Sequence, residues 1–352
     1  MSRNKKDISQ RKRDHLKIAL SDESQIGNTG FDRYRFIHNA LPEIDFDKID
    51  TSTAFLGKKV NYPFFISCMT GGVKDGARLN KNLAKVAQKH GIAMGVGSQR
   101  IMIENPRLKK LFEVRKYALD IPVIANIGLV QLNYGFGIKE CEEMVAMVNA
   151  DALALHINPI QEAIQPEGNH NFENLLGKLE KVVKKLSVPV IVKEVGFGLS
   201  EDVIKRLYNV GVRIFDTAGW GGTNWAFVEA ERHSPSEALA KGNIEVGKLF
   251  TNWGIPTTNS ILAAKIVKDK NKDKRMVILG SGGIRTGIDI AKAIGLGSDL
   301  AGIAAPFAKA ALKSSTAVED LIERLGMELK IAMFGVGAKD ISQLKSKKLI
   351  QV

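Results

Sequence analysis

Cysteine is nearly absent: Cys68 and Cys141 are the only two among 352 residues. They fall in different predicted elements and make no metal-ligand pattern, so a reducing, cytoplasmic setting is expected. Cys68 reads as a small core residue on a strand. No apolar run approaches the roughly 18 residues that a membrane helix needs. The opening residues Met1-Ser2-Arg3-Asn4-Lys5-Lys6 contain no apolar stretch of the secretory kind, so no signal peptide is expected. No G-x-G-x-x-G follows a predicted strand, which counts against a dinucleotide-binding open sheet. Acidic residues are the minority, 38 against 51 Lys and Arg, for a net charge of +13. That excess reads as a Lys-rich solvated surface or as attraction for polyanions. Lys81, Lys85 and Lys89 stand at helical spacing, which favours the first reading. With no zinc-finger or RRM signature, neither a nucleic-acid nor a membrane partner is expected.

What the chain does have is a sizeable apolar content, 44%, arranged in alternation. Short β-branched runs predict strands at Phe64–Cys68, Ile92–Val96, Val123–Asn126, Ala152–His156, Val190–Lys193, Arg213–Thr217, Met276–Gly280 and Leu300–Ala304. Between them, three- and four-residue apolar spacing predicts helices such as Leu79–His90, Glu140–Asn149, Phe172–Leu186, Glu201–Val210 and Thr286–Gly295. Several strands are apolar throughout, as parallel strands covered on both faces should be. Eight strands in βα order predict an α/β fold, a (β/α)₈ TIM barrel, which takes about 250 residues. Length alone would also allow two domains of roughly 150 residues. The expected division is an N-terminal extension over 1–60 and a barrel over 61–352. A long insertion at 219–254, rich in Gly, Trp and charge, follows the sixth strand.

In a barrel of this kind the C-terminal strand ends converge on one face, where active sites lie. Here those ends carry Met69-Thr70-Gly71-Gly72, Gly97-Ser98-Gln99-Arg100, Asn126, His156-Ile157-Asn158, Lys193-Glu194 and Ser281-Gly282-Gly283. Gly280-Ser281-Gly282-Gly283-Ile284-Arg285 opens a helix after a strand, and Ala304-Ala305-Pro306 does so again. Glycine lets backbone N–H groups approach an anion, and a helix N-terminus adds a favourable dipole. The pair of turns fits the phosphate site common after strands seven and eight. Lys193 ends an apolar strand and reads as a Schiff-base lysine, a cofactor contact, or an ion-pair partner of Glu194 or Asp216. Glu162 reads as a solvated loop carboxylate or as a Mg²⁺ ligand, since Mg²⁺ takes one or two carboxylates plus substrate phosphates. Arg11, Lys12 and Arg100 are candidate phosphate ligands, the first two alternatively part of a basic tail.

Taken together, these motifs resemble the type 2 isopentenyl-diphosphate isomerase family. The resemblance runs from Arg11-Lys12-x-Asp14-His15 to Ala304-Ala305-Pro306. It is most specific in His156-x-Asn158-x-x-Gln161-Glu162 and Lys193-Glu194-Val195-Gly196-Phe197-Gly198, with Gly221-Gly222-Thr223-Asn224-Trp225 between β-strands six and seven. It implies isomerisation of isopentenyl and dimethylallyl diphosphates, with FMN, a divalent cation (usually Mg²⁺) and NADPH or NADH as reductant. It implies that Thr70, Gly71, Gly72, Ser98, Asn126, Lys193, Thr217, Thr223, Gly282, Gly283, Ala304 and Ala305 surround FMN. Arg11, Lys12, Arg100, His156, Asn158 and Gln161 would face the substrate, and Glu162 would hold the metal. His156, Gln161 and Lys193 are the expected catalytic group, with Gln161 positioning and the reduced flavin carrying the proton chemistry. Two positions depart from the family pattern: Asn169, where an acid is usual, and Thr217, where Ser or Ala is frequent. A homo-oligomer is also expected. The rival readings are an FMN oxidoreductase on the same fold, such as a 2-hydroxy-acid oxidase, and a basic nucleic-acid-binding protein.

Overall fold

The computed structural model describes residues 13–69, 74–232 and 245–352. Arg11, Lys12, Thr70, Gly71 and Gly72, all expected at the site, lie outside the described residues. Eight parallel strands close into a barrel in chain order, and we number them β1 (Phe64–Ile66), β2 (Met94–Gly95), β3 (Val123–Gly128), β4 (Ala152–Ile157), β5 (Val190–Glu194), β6 (Ile214–Asp216), β7 (Val277–Ser281) and β8 (Leu300–Ile303). β8 pairs with β1 to complete the ring. All eight predicted strands are present. The predicted helices match Lys74–His90, Ile138–Val148, Leu175–Lys185, Glu201–Asn209 and Gly287–Leu296.

The strands form because every residue of β3 is buried, Val123 through Gly128, and β5 and β8 likewise. Alternate side chains point into the barrel, where Phe65, Ala93, Ile124, Ala154, Ile191, Leu279 and Leu300 make an inner core. The others point outward to a larger layer shared with the helices, including Leu79, Leu83, Phe112, Leu153 and Phe307. The helices begin at side-chain caps: Ser200 accepts from Val203 N, and Thr286 forms a capping box with Asp289.

Residues outside the barrel repeat are not a free appendage. A hairpin, Thr53–Phe55 against Lys58–Val60, buries Phe55 and Val60 in the inner core. Tyr34–Phe36 pairs antiparallel with Leu349–Gln351. A helix spans 13–19, and the chain after it docks on the loop that follows β6: Ile26 N donates to Gly222 O, and Asn224 N to Ser24 O. The 219–254 insertion contains a helix, Trp225–Glu231, and a 3-10 turn, Phe250–Asn252. Among the described residues no helix is long and apolar enough to cross a membrane.

Candidate active site

A cavity of about 270 Å³ lies at the C-terminal mouth of the barrel, lined from every strand end and roofed by His15, Leu16, Ala19 and Leu20. Of the expected site residues described, Ser98, Arg100, Asn126, His156, Asn158, Gln161, Glu162, Lys193, Thr223, Gly282, Gly283, Ala304 and Ala305 all line it. Thr217 does not reach it. Its side chain is fully buried and its hydroxyl donates to Leu279 O on β7, so it ties two strands together. Cys68, expected in the core, packs against the inner core and also lines the cavity.

Strand register builds the floor. His156, Lys193 and Asp216 are direct neighbours across β4, β5 and β6. Lys193 Nζ lies 3.2 Å from Asp216 Oδ2, and Asp216 Oδ1 accepts from Ser281 Oγ. His156 Nδ1 meets Asn126 Oδ1 at 3.0 Å; an amide oxygen only accepts, so the proton sits on Nδ1. Burial, then the Lys193 ammonium, pushes the imidazole down to about 4, which leaves it neutral at pH 7. Gly128 leaves it room: a Cβ there would stand 3.1 Å from His156 Nε2, a crowded approach. Gln99 serves the scaffold: fully buried, it accepts from Asn126 N and donates to Met144 O. Burial raises the Cys68 thiol to about 12.

Two glycine-rich turns make the far wall. Gly282 and Gly283 have φ of 109° and 70°, a region open to glycine at little cost. A Cβ on either would strike the backbone of the loop after β6, at Gly219 O and Gly221 O, within 2.2 Å. Facing them, Ala304 caps the helix Ala305–Lys313, whose first N–H groups have no partner within the helix. Arg285 ties the β7 turn to the loop after β6 and to the N-terminal segment, donating to Gly221 O, Gly283 O and Gln25 Oε1. A small-residue cradle at a helix start, with donors aimed inward, fits the phosphate of FMN. Gln131 Oε1, buried at the same cavity without a partner among the described residues, fits a ring N–H donor.

The β4 loop presents oxygens. Glu162 is 8% exposed; its carboxylate accepts from Asn158 Nδ2 at 3.2 Å and from Asn169 N. Asn169 thus serves through its backbone. No cation pairs with Glu162 among the described residues, and Asn158 Oδ1 is buried without a partner. A carboxylate and an amide oxygen left open side by side suit a hard divalent cation. Between them and the floor, Gln161 is fixed at both ends: Asn158 Nδ2 donates to its Oε1, and its Nε2 donates to Glu229 Oε1.

Glu229 carries no signal in the sequence. It sits fully buried on the helix Trp225–Glu231, with His15 Nε2 at 2.9 Å and Arg232 Nε at 3.0 Å. Burial would raise its carboxyl, but His15, Arg232 and the Gln161 amide overcome that and hold it at about 2. Arg232 also reaches Glu167 at 2.7 Å, and the His15 ring stands edge-on to Trp225 at 5.5 Å. The Lys193-Glu194-Val195-Gly196-Phe197-Gly198 motif divides similarly. Lys193 faces the cavity, while Glu194 Oε2 accepts the N–H groups of Val195, Gly196, Phe197 and Gly198 and folds the turn around itself. Arg100 reaches the cavity from the start of the helix Arg100–Glu104 and is held by Glu104 Oε1 at 2.7 Å.

A family profile described as FMN-dependent dehydrogenase matches residues 5–105 and 150–351. Proteins named isopentenyl-diphosphate delta-isomerase match almost end to end. The one from Nostoc sp. (strain PCC 7120) is 45% identical over 343 residues, covering 97% of this chain and 95% of its own. The one from Rickettsia bellii (strain RML369-C) is 47% identical over 340 residues, covering 96% of each. The chain belongs to the isopentenyl-diphosphate delta-isomerase family, within the FMN-dependent dehydrogenase group. Among solved structures, a flavocytochrome b2 variant aligns with TM-score 0.68 at 18% identity, covering 97% of this chain and 82% of that one. A mandelate oxidase variant aligns at 0.64 and 15%, covering 98% and 99%. At such identity these likenesses show a shared barrel fold, and the isomerase family's chemistry has to be sought in the side chains at its mouth.

Proposed function

We propose that this chain interconverts isopentenyl diphosphate and dimethylallyl diphosphate, using FMN, Mg²⁺, and NADPH or NADH as reductant. The observation that carries the reading is one cavity with two separate demands, for an anion at one wall and for a cation at another. The paired turns of β7 and β8 suit a flavin phosphate, and the open Glu162–Asn158 oxygens suit a cation that bridges to a second, diphosphate-bearing ligand. An oxidase would instead place a basic His and a free Arg at the reacting face; here His156 is neutral and tied to Asn126, Arg100 is held by Glu104, and the rest of that face offers amides and Glu162.

When bound in its reduced form, FMN supplies the acid and base for moving a proton along the alkene. The chain's residues do the rest. Arg100, with Arg11 and Lys12, would take the diphosphate oxygens, and Glu162 with Asn158 Oδ1 would hold Mg²⁺ against them. That binding fixes the alkene in place, converting affinity into orientation. Gln161 has no useful pKa near 7, so it holds the reacting carbons while Glu229 and Asn158 hold it. His156, neutral, orients through Asn126. Lys193 places positive charge at the floor. Leu16, Leu20, Ile101 and Met69 keep water out.

Cytoplasmic location fits free Cys68 and Cys141. A homo-oligomer fits the exposed Met327 and Ile331, one turn apart on the helix Ser315–Gly335. The test is an anaerobic assay of the FMN-loaded protein with Mg²⁺, reductant and isopentenyl diphosphate. Dimethylallyl diphosphate should accumulate with no net oxidation. Oxidation of a 2-hydroxy acid without isomerisation would overturn the reading.

A further inference from the structure

The floor of the cavity holds one cation and one anion in a dry place. Lys193 is 7% exposed and lines the cavity; Asp216 is 1% exposed and stands behind it, one strand over in direct register. Asp216 is fastened on its other side by Ser281 Oγ, which in turn accepts from Ala218 N. The carboxylate is thus held from two elements and cannot swing away from the ammonium. Both charges reach the cavity wall. At the Cys68 thiol, where burial dominates, Lys193 pulls the proton equilibrium down and Asp216 pushes it up. His156 and Cys68, the other titratable groups of the floor, are uncharged at neutral pH.

We propose that Asp216 is a positioning residue that fixes Lys193 and cancels part of its charge, and so sets how strongly the site stabilises negative charge on the flavin ring. This rests on the reading that Lys193 faces that ring. A bare buried ammonium would over-stabilise an anionic reduced ring and lower its basicity. A base that must take a proton back in every turnover is served by a weaker field. Asp216 supplies that moderation without touching substrate or cofactor. Ser281 tunes it by drawing on the carboxylate's charge.

The experiment uses the FMN-loaded protein and reads two quantities besides activity: the two-electron midpoint potential, and the dissociation constant for sulfite, which forms an anionic flavin adduct. Asp216→Asn should shift the potential positive and tighten sulfite by about tenfold, the scale of one unit charge acting from behind Lys193 at roughly 10 Å in a protein interior. Lys193→Met should move both the opposite way. The double variant should return toward wild type, because the two charges act on the ring in opposition. If Lys193→Met shifts both quantities while Asp216→Asn shifts neither, the pair is merely structural and the inference falls alone. If Lys193→Met also shifts neither, the placement of Lys193 beside the flavin is wrong and both fall. Should Asp216→Asn lose FMN or fail to fold, Ser281→Ala decides. It leaves the carboxylate undispersed, so the potential should move negative, and no movement overturns the proposal.

Discussion

At the N-terminal ends of its strands the barrel surrounds three aspartates with two cations each. Asp151 takes Lys58 at 2.6 Å and Arg115 at 2.8 Å. Asp299 takes Lys268 at 3.0 Å and Lys345. Asp273 takes Arg213 at 2.9 Å and Arg275 at 3.1 Å. Each also accepts a backbone N–H, from Val123, Ile278 and Arg275 respectively. Burial would raise the Asp151 and Asp299 carboxyls, yet their cations hold both below the usual carboxylate range. The C-terminal end is built otherwise. Among the described residues, Glu162 has amides but no cation, and Asn158 and Gln131 have oxygens without partners; His156 is kept neutral. One end satisfies its charges within the protein and so contributes stability. The other leaves groups unsatisfied at a cost of about 1–3 kcal/mol each, a cost offset when ligands bind.

The contrast is broken most directly at Glu162. Glu162→Gln should lower kcat/KM by roughly a hundred-fold, about 2.7 kcal/mol at 1.36 per decade. The Mg²⁺ requirement should rise while FMN content and melting temperature hold. A Mg²⁺ titration identical to wild type would show an ordinary buried carboxylate. Asp299→Asn is the mirror experiment. It should lower stability by about 1–3 kcal/mol in urea denaturation, less than for a fully buried pair because Lys268 is part-exposed. Turnover per folded molecule should not change; a lowered kcat would show that the two ends are coupled.

Acid should attack the two ends in sequence. His156 titrates near 4 folded and 6.5 unfolded, so its contribution is full above 6.5 and is lost as pH falls toward 4. Glu229, at about 2 against 4.5, holds its contribution above 4.5 and loses it below; Asp151 and Asp299, lowered from 3.8 by their cations, lose theirs as pH falls below that value. The His156 share of the change over pH 4–6.5 should be on the order of 1–3 kcal/mol; Glu194, raised by burial to about 7, opposes it, so the difference between wild type and His156→Asn isolates it, and identical slopes in the two would place that titration elsewhere. The smallest effect belongs to neither end. Lys184 and Glu180 pair at 2.6 Å on an exposed helix face, and Lys184→Ala should cost less than about 0.5 kcal/mol by thermal denaturation.

The barrel was legible because period and composition are local. A run such as Val123 to Asn126 announces a doubly covered strand, and the structure extends it only to Gly128. The strand-end residues were legible for the same reason, since position on a βα unit tells which face a side chain joins. What could not be read was pairing at a distance. Glu229 looks like any polar residue of a charged insertion; its meaning comes from Gln161 and His15, 68 and 214 positions away in the chain. Thr217 was misread for the opposite reason. It ends a strand in sequence, but alternation turns its hydroxyl to Leu279 and leaves the mouth to its neighbours. Lys193 had three open readings, and register chose the ion pair with Asp216 over one with Glu194, whose carboxylate is spent on its own turn.

The pairing of Tyr34–Phe36 with Leu349–Gln351 has a consequence for how the protein comes into being. The segment before it, which roofs the cavity, is made some three hundred residues before part of its anchorage. Closing a loop of that length is slow relative to local helix formation. In synthesis order the early strands can collect their helices while Tyr34–Phe36 still lacks its partner strand, and the roof then holds only through its bonds to the loop after β6. Full closure of the mouth, and with it retention of ligands, belongs after Leu349–Gln351 has docked.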